Sequence, residues 1–192
     1  SFTSDPKWAE DVCHEIIKRK LDVSWVCEAR VNESSRKILA TMHRSGCKRI
    51  NYGVETGDPT LIKTAKPGTE LQDTLKAFQV GKEIGIWRHA HMILGLPGEN
   101  QQTFETTLKC LFHLDPDSMS LNFATPYPGT QLYHVAERNN WMTTRNWMHY
   151  TSSEVVMRTK DLSAEDLCTM ALKLKKTFLR LRIMRLLSEG FH

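Results

Sequence analysis

Apolar positions near the start of the chain recur at helical spacing, with Trp8, Val12, Ile16 and Ile17 on one side and charges between them. Asp5-Pro6 supplies the start signal, a capping carboxylate followed by a proline at the first helical position. The spacing predicts a first helix with one buried stripe. From Leu21 to Arg30 the pattern changes to a strand through Val23–Cys27, finishing at Glu28-Ala29-Arg30. A second helix is expected from Glu33 to Met42, closed by Gly46. Cys47 to Asn51 then feeds Arg49-Ile-Asn-Tyr-Gly-Val-Glu-Thr-Gly-Asp58, a buried strand ending in one acidic residue, Glu55, between Gly53 and Gly57.

Asp58-Pro59 repeats the cap-and-proline signal and opens a helical region that breaks at Pro67-Gly68 and resumes from Thr69 or Glu70 to Gly85. Ile86 to Leu94 reads as a third strand, ending in Gly95-Leu-Pro-Gly98-Glu99. Thr103 to Leu114 is a helix stopped by Asp115-Pro116. Met119 to Thr125 is a fourth strand, ending in Pro126-Tyr-Pro-Gly-Thr130, and Gln131 to Arg138 a further helix. Four strand–helix alternations with short loops predict an α/β fold with a parallel sheet built from right-handed βαβ units. Ligands in such folds meet the carboxyl ends of the strands, where all four polar or glycine-rich stretches lie. A doubly wound sheet and part of a (βα) barrel both fit. After about Asn139 the alternation stops. Trp141 and Trp147 are expected to anchor an irregular segment, and a long helix runs from Ser163, where Ser163 and Asp166 resemble a capping box, to about Glu189. The chain thus divides at about residue 140, into 1–140 and 141–192.

Length and composition narrow the class. The 192 residues suffice for one substantial core, and 40% hydrophobic with 25% charged residues is ordinary for a globular protein. No apolar run approaches the roughly 20 residues of a membrane span. The start has neither the basic nor the apolar part of a signal peptide, so a cytoplasmic protein is expected. It also lacks an initiator Met, which suggests a chain beginning inside a longer polypeptide. A net charge of +4 does not by itself imply nucleic acid. Cys13, Cys27, Cys47, Cys110 and Cys168 are odd in number and scattered, which suits a reducing compartment and small buried thiols. No two are spaced as zinc or iron–sulfur ligands, and no metal ligands are assigned.

Several residues are candidates for chemistry, each beside a plainer role. Glu55 between two glycines can offer an acceptor to a ligand or be merely solvated. Gly95–Glu99 lacks the Lys-Ser/Thr of a P-loop; it is a tight turn or a loop against a flat aromatic ligand. His89 and His91 share a strand face and suit packing or substrate contact better than a metal. Glu28 and Arg30 share another face, as an ion pair or as a carboxylate clamp. Lys66 suits a carboxylate or phosphate, or solvent. Lys173, Lys175, Lys176, Arg180, Arg182 and Arg185 on the last helix flank Leu167, Met170, Leu174, Phe178, Leu181 and Leu187. That face can meet RNA or an anionic membrane, though docking on its own domain is commoner. No Ser/His/Asp or Cys/His nucleophile stands out.

Five pieces in order resemble the later part of the radical SAM superfamily barrel, in the branch that often carries a cobalamin-binding domain. They are Phe2-Thr-Ser-Asp5, Trp25-Val-Cys-Glu-Ala-Arg30, Gly46 through Asp58, Met92-Ile-Leu-Gly-Leu-Pro-Gly-Glu99 and Ala124-Thr-Pro-Tyr-Pro-Gly-Thr130. The resemblance covers residues 1 to 140 closely. It implies a partial (βα) radical SAM-type barrel of about four βα units with a C-terminal helical extension. It also implies that Glu55 meets the ribose hydroxyls of S-adenosylmethionine and that Lys66 lies near the methionine carboxylate. Ile93 and Gly95 would flank adenine, Ala124 and Thr125 would lie at its edge, and Glu28 and Arg30 would complete the site. The family's Cys-x-x-x-Cys-x-x-Cys loop, which holds the 4Fe–4S cluster, is absent from this sequence and is expected upstream, as is any cobalamin domain. The chain alone is therefore expected to be inactive, as part of an enzyme that cleaves S-adenosylmethionine to a 5′-deoxyadenosyl radical or supports cobalamin-linked methyl transfer. Expected partners are a small-molecule substrate, the upstream part of the same polypeptide and a reductant such as flavodoxin or ferredoxin. Alternatives are a methylthiotransferase-type enzyme acting on RNA, and a non-catalytic barrel that keeps a ligand pocket.

Overall fold

A computed structural model of the chain describes residues 1–189. Asp5 accepts a hydrogen bond from the Trp8 amide at 3.0 Å and starts α1 (Pro6–Lys18). The buried stripe of α1 differs from the expected one: Ala9 and Cys13 are fully buried, whereas Trp8 is 53% exposed. Small side chains let α1 pack close on α2 (Arg36–Arg44), and Trp8 stands at the rim against Phe2. Between them lies β1 (Trp25–Ala29), and α2 starts at Ser35, whose hydroxyl caps it, not at Glu33, which belongs to a separate single turn.

The chain continues through β2 (Cys47–Glu55), α3 (Pro59–Ala65), α4 (Leu71–Ile84), β3 (Trp87–Leu94), α5 (Gln101–Leu114), β4 (Ser118–Phe123), α6 (Gln131–Arg138) and α7 (Ala164–Glu189). The expected break at Pro67-Gly68 separates α3 from α4. All strand pairs are parallel and the order is β1-β2-β3-β4. A doubly wound sheet reverses its strand order at a switch point; this one adds each strand on the same side, as a barrel wall does.

The two faces of the sheet differ. Ile50, Tyr52, Val54, Ala90, Met92 and Leu94 are buried, in one core with Ile38, Leu39, Met42, Phe78, Phe104 and Leu108 of the covering helices. Side chains alternate along a strand, so the opposite face carries Arg49, Asn51, Gly53, His89, His91, Ser118 and Ser120. The register aligns these as Asn51–His89–Ser118 and Gly53–His91–Ser120 across the three strands.

At the amino end of β3, Arg88 is 2% exposed and donates from its backbone N and Nε to Asp117 Oδ2, both at 2.8 Å. Arg185 of α7 donates to Asp117 Oδ1 at 2.8 Å, and the Arg182 guanidinium lies over the Trp87 ring. Two cations expected at the solvated face thus tie α7 to the sheet. Leu167, Met170, Leu174 and Leu181 are buried as expected, while Leu187 is 61% exposed. Trp147 also departs from expectation, at 53% exposed; buried Tyr150 ties that segment to the loop after β4, its backbone carbonyl accepting from the Tyr127 hydroxyl at 3.0 Å. Among the described residues, no helix is long and apolar enough to cross a membrane.

Candidate functional site

Glu55 ends β2 with φ +65, a left-handed conformation that is uncommon for a residue with a side chain and costs of order 1–3 kcal/mol. The same residue shifts the β2–β3 register, since Gly53 pairs with His91 but Glu55 with Met92. This turn swings the carboxylate back over Gly53. A Cβ at Gly53 would run into the Glu55 carboxylate and come within 3.1 Å of Lys66 Nζ, so a side chain there would have to displace the ends of both. Lys66, just after α3, donates to Gly53 O at 2.5 Å, with its Nζ 3.9 Å from Glu55 Oε1. Burial pushes the Glu55 carboxyl above its usual range, and Lys66 pulls the other way.

The second bracketing glycine has another purpose. A Cβ at Gly57 would strike Cys110 and Thr107, so it permits packing on α5 and not approach to a ligand. Its amide donates to Thr107 Oγ1 at 3.1 Å, and Asp58 caps α3 by accepting from the Thr60 and Leu61 amides.

Glu28, Arg30, Glu55 and Lys66 line one open cavity of about 420 Å³ at the carboxyl ends of β1 and β2, joined by Asn51 and His91. Arg30 does not pair with Glu28; its guanidinium stands 3.9 Å from Glu33. Ile93, Gly95, Ala124 and Thr125 are not in that lining. They sit at the carboxyl ends of β3 and β4, with Gly95 close against Ala124 and against Leu167 of α7. The loop after β3 opens onto a separate apolar cleft of about 320 Å³, between Leu96 and Pro97 on one side and Ala65, Leu132 and Val135 on the others.

The match to the Radical SAM superfamily spans residues 1–111. The chain belongs to the radical SAM superfamily. Similar proteins include an uncharacterized methyltransferase of Pyrococcus horikoshii, 32% identical over 173 residues, which are 90% of this chain and 38% of that protein. The anaerobic magnesium-protoporphyrin IX monomethyl ester cyclase of Rubrivivax gelatinosus is 30% identical over 125 residues, 64% of this chain and 22% of the cyclase. The chain therefore spans well under half the length of these relatives. Among solved structures, the radical S-adenosylmethionine methyltransferase TsrM of Kitasatospora setae, with cobalamin and a [4Fe-4S] cluster bound, superposes with a TM-score of 0.62 at 20% identity. The match covers 76% of this chain and 31% of TsrM, and it shows that the sheet is part of a radical SAM-type barrel.

Radical SAM proteins use S-adenosylmethionine and a 4Fe–4S cluster. The residues present fit only the first of these. The cavity joins an inward carboxylate, a lysine and a glycine floor to polar strand ends. No group of three or more His, Cys, Asp or Glu side chains placed to hold a metal exists among the described residues.

Glu99, the last residue of the Gly95 loop, organises that loop. It is fully buried, and Oε2 accepts from the Gly95 amide at 2.5 Å while Oε1 has no hydrogen-bond partner among the described residues. Burial, with a contribution from Asp58, raises its carboxyl to about 7 against the pull of the Gly95 and Leu96 amides. An acidic residue four positions after a strand-end glycine was the available signal. Asn51 gave none, because an asparagine in a strand has no distinctive spacing.

Proposed function

We propose that the carboxyl-end cavity binds S-adenosylmethionine and that the longer polypeptide containing this chain is a radical SAM methyltransferase linked to cobalamin. The observation that carries the cofactor part is Glu55: a non-glycine residue held left-handed, with its desolvated carboxylate above Gly53 and beside Lys66. Such an outlier persists where the surrounding structure over-determines it, and these residues cluster at ligand sites. Glu55 then accepts from the ribose hydroxyls, and Lys66 meets the methionine carboxylate once it releases Gly53 O. Glu28 and Arg30 close the β1 side. The adenine extends beyond that cavity along the strand ends, where Ile93 and Gly95 flank it and Ala124 and Thr125 lie at its edge. The methyltransferase part draws on the Pyrococcus relative and on TsrM.

Bound there, S-adenosylmethionine would supply a methyl group or, on reductive cleavage, a 5′-deoxyadenosyl radical. This chain's share is to hold the cofactor, orient it along the strand ends and exclude water. A small-molecule substrate, an upstream segment carrying the cluster, and a flavodoxin- or ferredoxin-like reductant complete the reading. The RNA-acting alternative is weakened because Arg182 and Arg185 face Asp117 and so are partly taken from the basic face of α7.

Glu55→Ala is expected to weaken S-adenosylmethionine binding by about 1–3 kcal/mol, because the ribose hydroxyls lose their acceptor in a desolvated site. Calorimetric titration of the wild-type and variant proteins measures this. Equal affinities would remove Glu55 from the site, even if the wild type binds.

A further inference from the structure

Helix α7 is apolar on two opposite faces. Leu167, Met170, Leu174 and Leu181 are buried where the helix packs on β3 and α5. On the far side, Leu172, Leu179, Ile183 and Leu186 are 60%, 59%, 47% and 59% exposed. With Lys176 they follow one another at alternating steps of four and three residues. That is the 3.5-residue period that keeps one seam of a helix against a partner helix. In the heptad, Leu172, Leu179 and Leu186 take the d positions, and Lys176 and Ile183 take the a positions. The seam runs about 20 Å along the helix.

The residues flanking the seam share one sign. Lys173 and Arg180 stand along one flank and Lys175 and Arg182 along the other, and no acidic residue lies between Asp166 and Glu189. Lys173 pairs with Glu105 of α5 and Arg182 lies toward Asp117, whereas Lys175, Lys176 and Arg180 form no ion pair among the described residues. This pattern discriminates between occupants. A second copy of the chain would oppose cation to cation in either orientation, because the flanking positions face each other across a two-helix seam. A membrane surface suits a helix with one broad apolar face and one polar face. Here the stripe is narrow, Lys176 sits in its middle, and the other face is already in the core. A helix with apolar side chains at the same period and carboxylates on its flanks satisfies both the seam and the charges.

We propose that the outer face of α7 docks an acidic amphipathic helix of another protein, as a two-helix coiled coil centred on Leu179 and Ile183. Burial of the exposed leucines and isoleucine holds the two helices together. Carboxylates opposite Lys175 and Arg180 choose the partner, and one opposite Lys176 sets its register, since a charged residue at a single a position tolerates only one alignment. None of the seam residues lines the Glu55–Lys66 cavity, so the surface recruits a partner and leaves the cavity open.

The test uses the longer polypeptide containing this chain and two synthetic peptides with Ile at a and Leu at d, one carrying Glu at every e and g position and the other Lys. Fluorescence anisotropy of the labelled peptides should show saturable binding of the Glu peptide, weakened by added salt, and none of the Lys peptide. Leu179→Gln combined with Ile183→Gln should weaken that binding by roughly tenfold or more, as loss of central anchors does. Both side chains are exposed, so circular dichroism should show an unchanged fold. Lys175→Glu combined with Arg180→Glu should exchange the preference, so that the Lys peptide binds and the Glu peptide does not. Binding of neither peptide, or of both alike, overturns the proposal. So does a wild-type dimer in gel filtration that the Leu179 and Ile183 substitutions dissociate, or adsorption to phosphatidylserine vesicles, lost in the same variant, without binding of the Glu peptide. None of these readouts involves S-adenosylmethionine, so each result leaves the cofactor reading to be judged by the Glu55 titration.

Discussion

Asp117→Ala is expected to lower the free energy of unfolding by about 3–5 kcal/mol, as removal of one partner of a buried ion pair does. The carboxylate satisfies Arg88 twice on one oxygen and Arg185 on the other. Arg88 is 2% exposed and, among the described residues, retains only Phe78 O at 3.0 Å as a further acceptor, so its charge would be stranded in the core. Urea denaturation followed by circular dichroism measures the loss. Asp115→Asn is the control: it keeps a side chain that tolerates the backbone at φ +42, and the contacts to Lys82 and Arg185 that it weakens are partly solvated and should cost no more than about 1 kcal/mol. Similar losses in both variants would mean that the Arg88 pair is screened far better than its burial implies. Burial pushes the Asp117 carboxyl up, but the bonds from Arg88 and the charge of Arg185 outweigh it, and the folded pKa lies below 3.8. Its stabilisation is therefore present above pH 3.8 and lost as the pH falls through the depressed value.

Glu99 is expected to act in the opposite sense and in a separate window. Its folded pKa, about 7, lies above the ordinary 4.5, so the stability it confers is complete below pH 4.5 and lost as the pH rises through 7. At 1.36 kcal/mol per unit the change is on the order of 3 kcal/mol. Glu99→Gln keeps an acceptor for the Gly95 amide and cannot ionise. The difference in stability between variant and wild type should therefore grow in the variant's favour as the pH rises from 4.5 to 7, while the contributions of groups they share, such as His89 with its pKa lowered to about 4, cancel. Unfolding free energies at half-unit pH steps supply the comparison. Parallel curves would show that Glu99 ionises normally and that the loop around Gly95 admits water.

Much of this was legible in the sequence because it depends on local rules. Asp5 and Asp58, each followed by a proline, are caps as expected, whereas Ser35 and Asn100 cap helices that were expected to start at Glu33 and Thr103, because no proline marks those starts. The alternation of strands and helices was enough to place Glu28, Glu55 and Gly95 at one end of a parallel sheet. Whether that sheet was doubly wound or part of a barrel depends on strand order, which is a matter of pairing between segments, and no local pattern records it. The misplaced anchors share a cause. Trp8 and Trp147 carry much apolar surface, but a large ring is easily left at a rim where Ala9 or Tyr150 fits better. Arg182 and Arg185 looked solvated because their partner, Asp117, lies far away in sequence. The left-handed turn at Glu55 was invisible for a different reason: glutamate has no preference for it, so the conformation is imposed by the structure around it.

That imposed conformation has a consequence for how the protein can change. Glu55→Gly would relieve the backbone and remove a desolvated carboxyl together, and φ +65 suits glycine well. The substitution that best improves the fold at this position is thus the one that discards the acceptor. Selection for robustness and selection for binding pull against each other at a single residue. A screen for thermal tolerance alone should enrich Gly at position 55, whereas a screen that also demands S-adenosylmethionine binding should hold the glutamate.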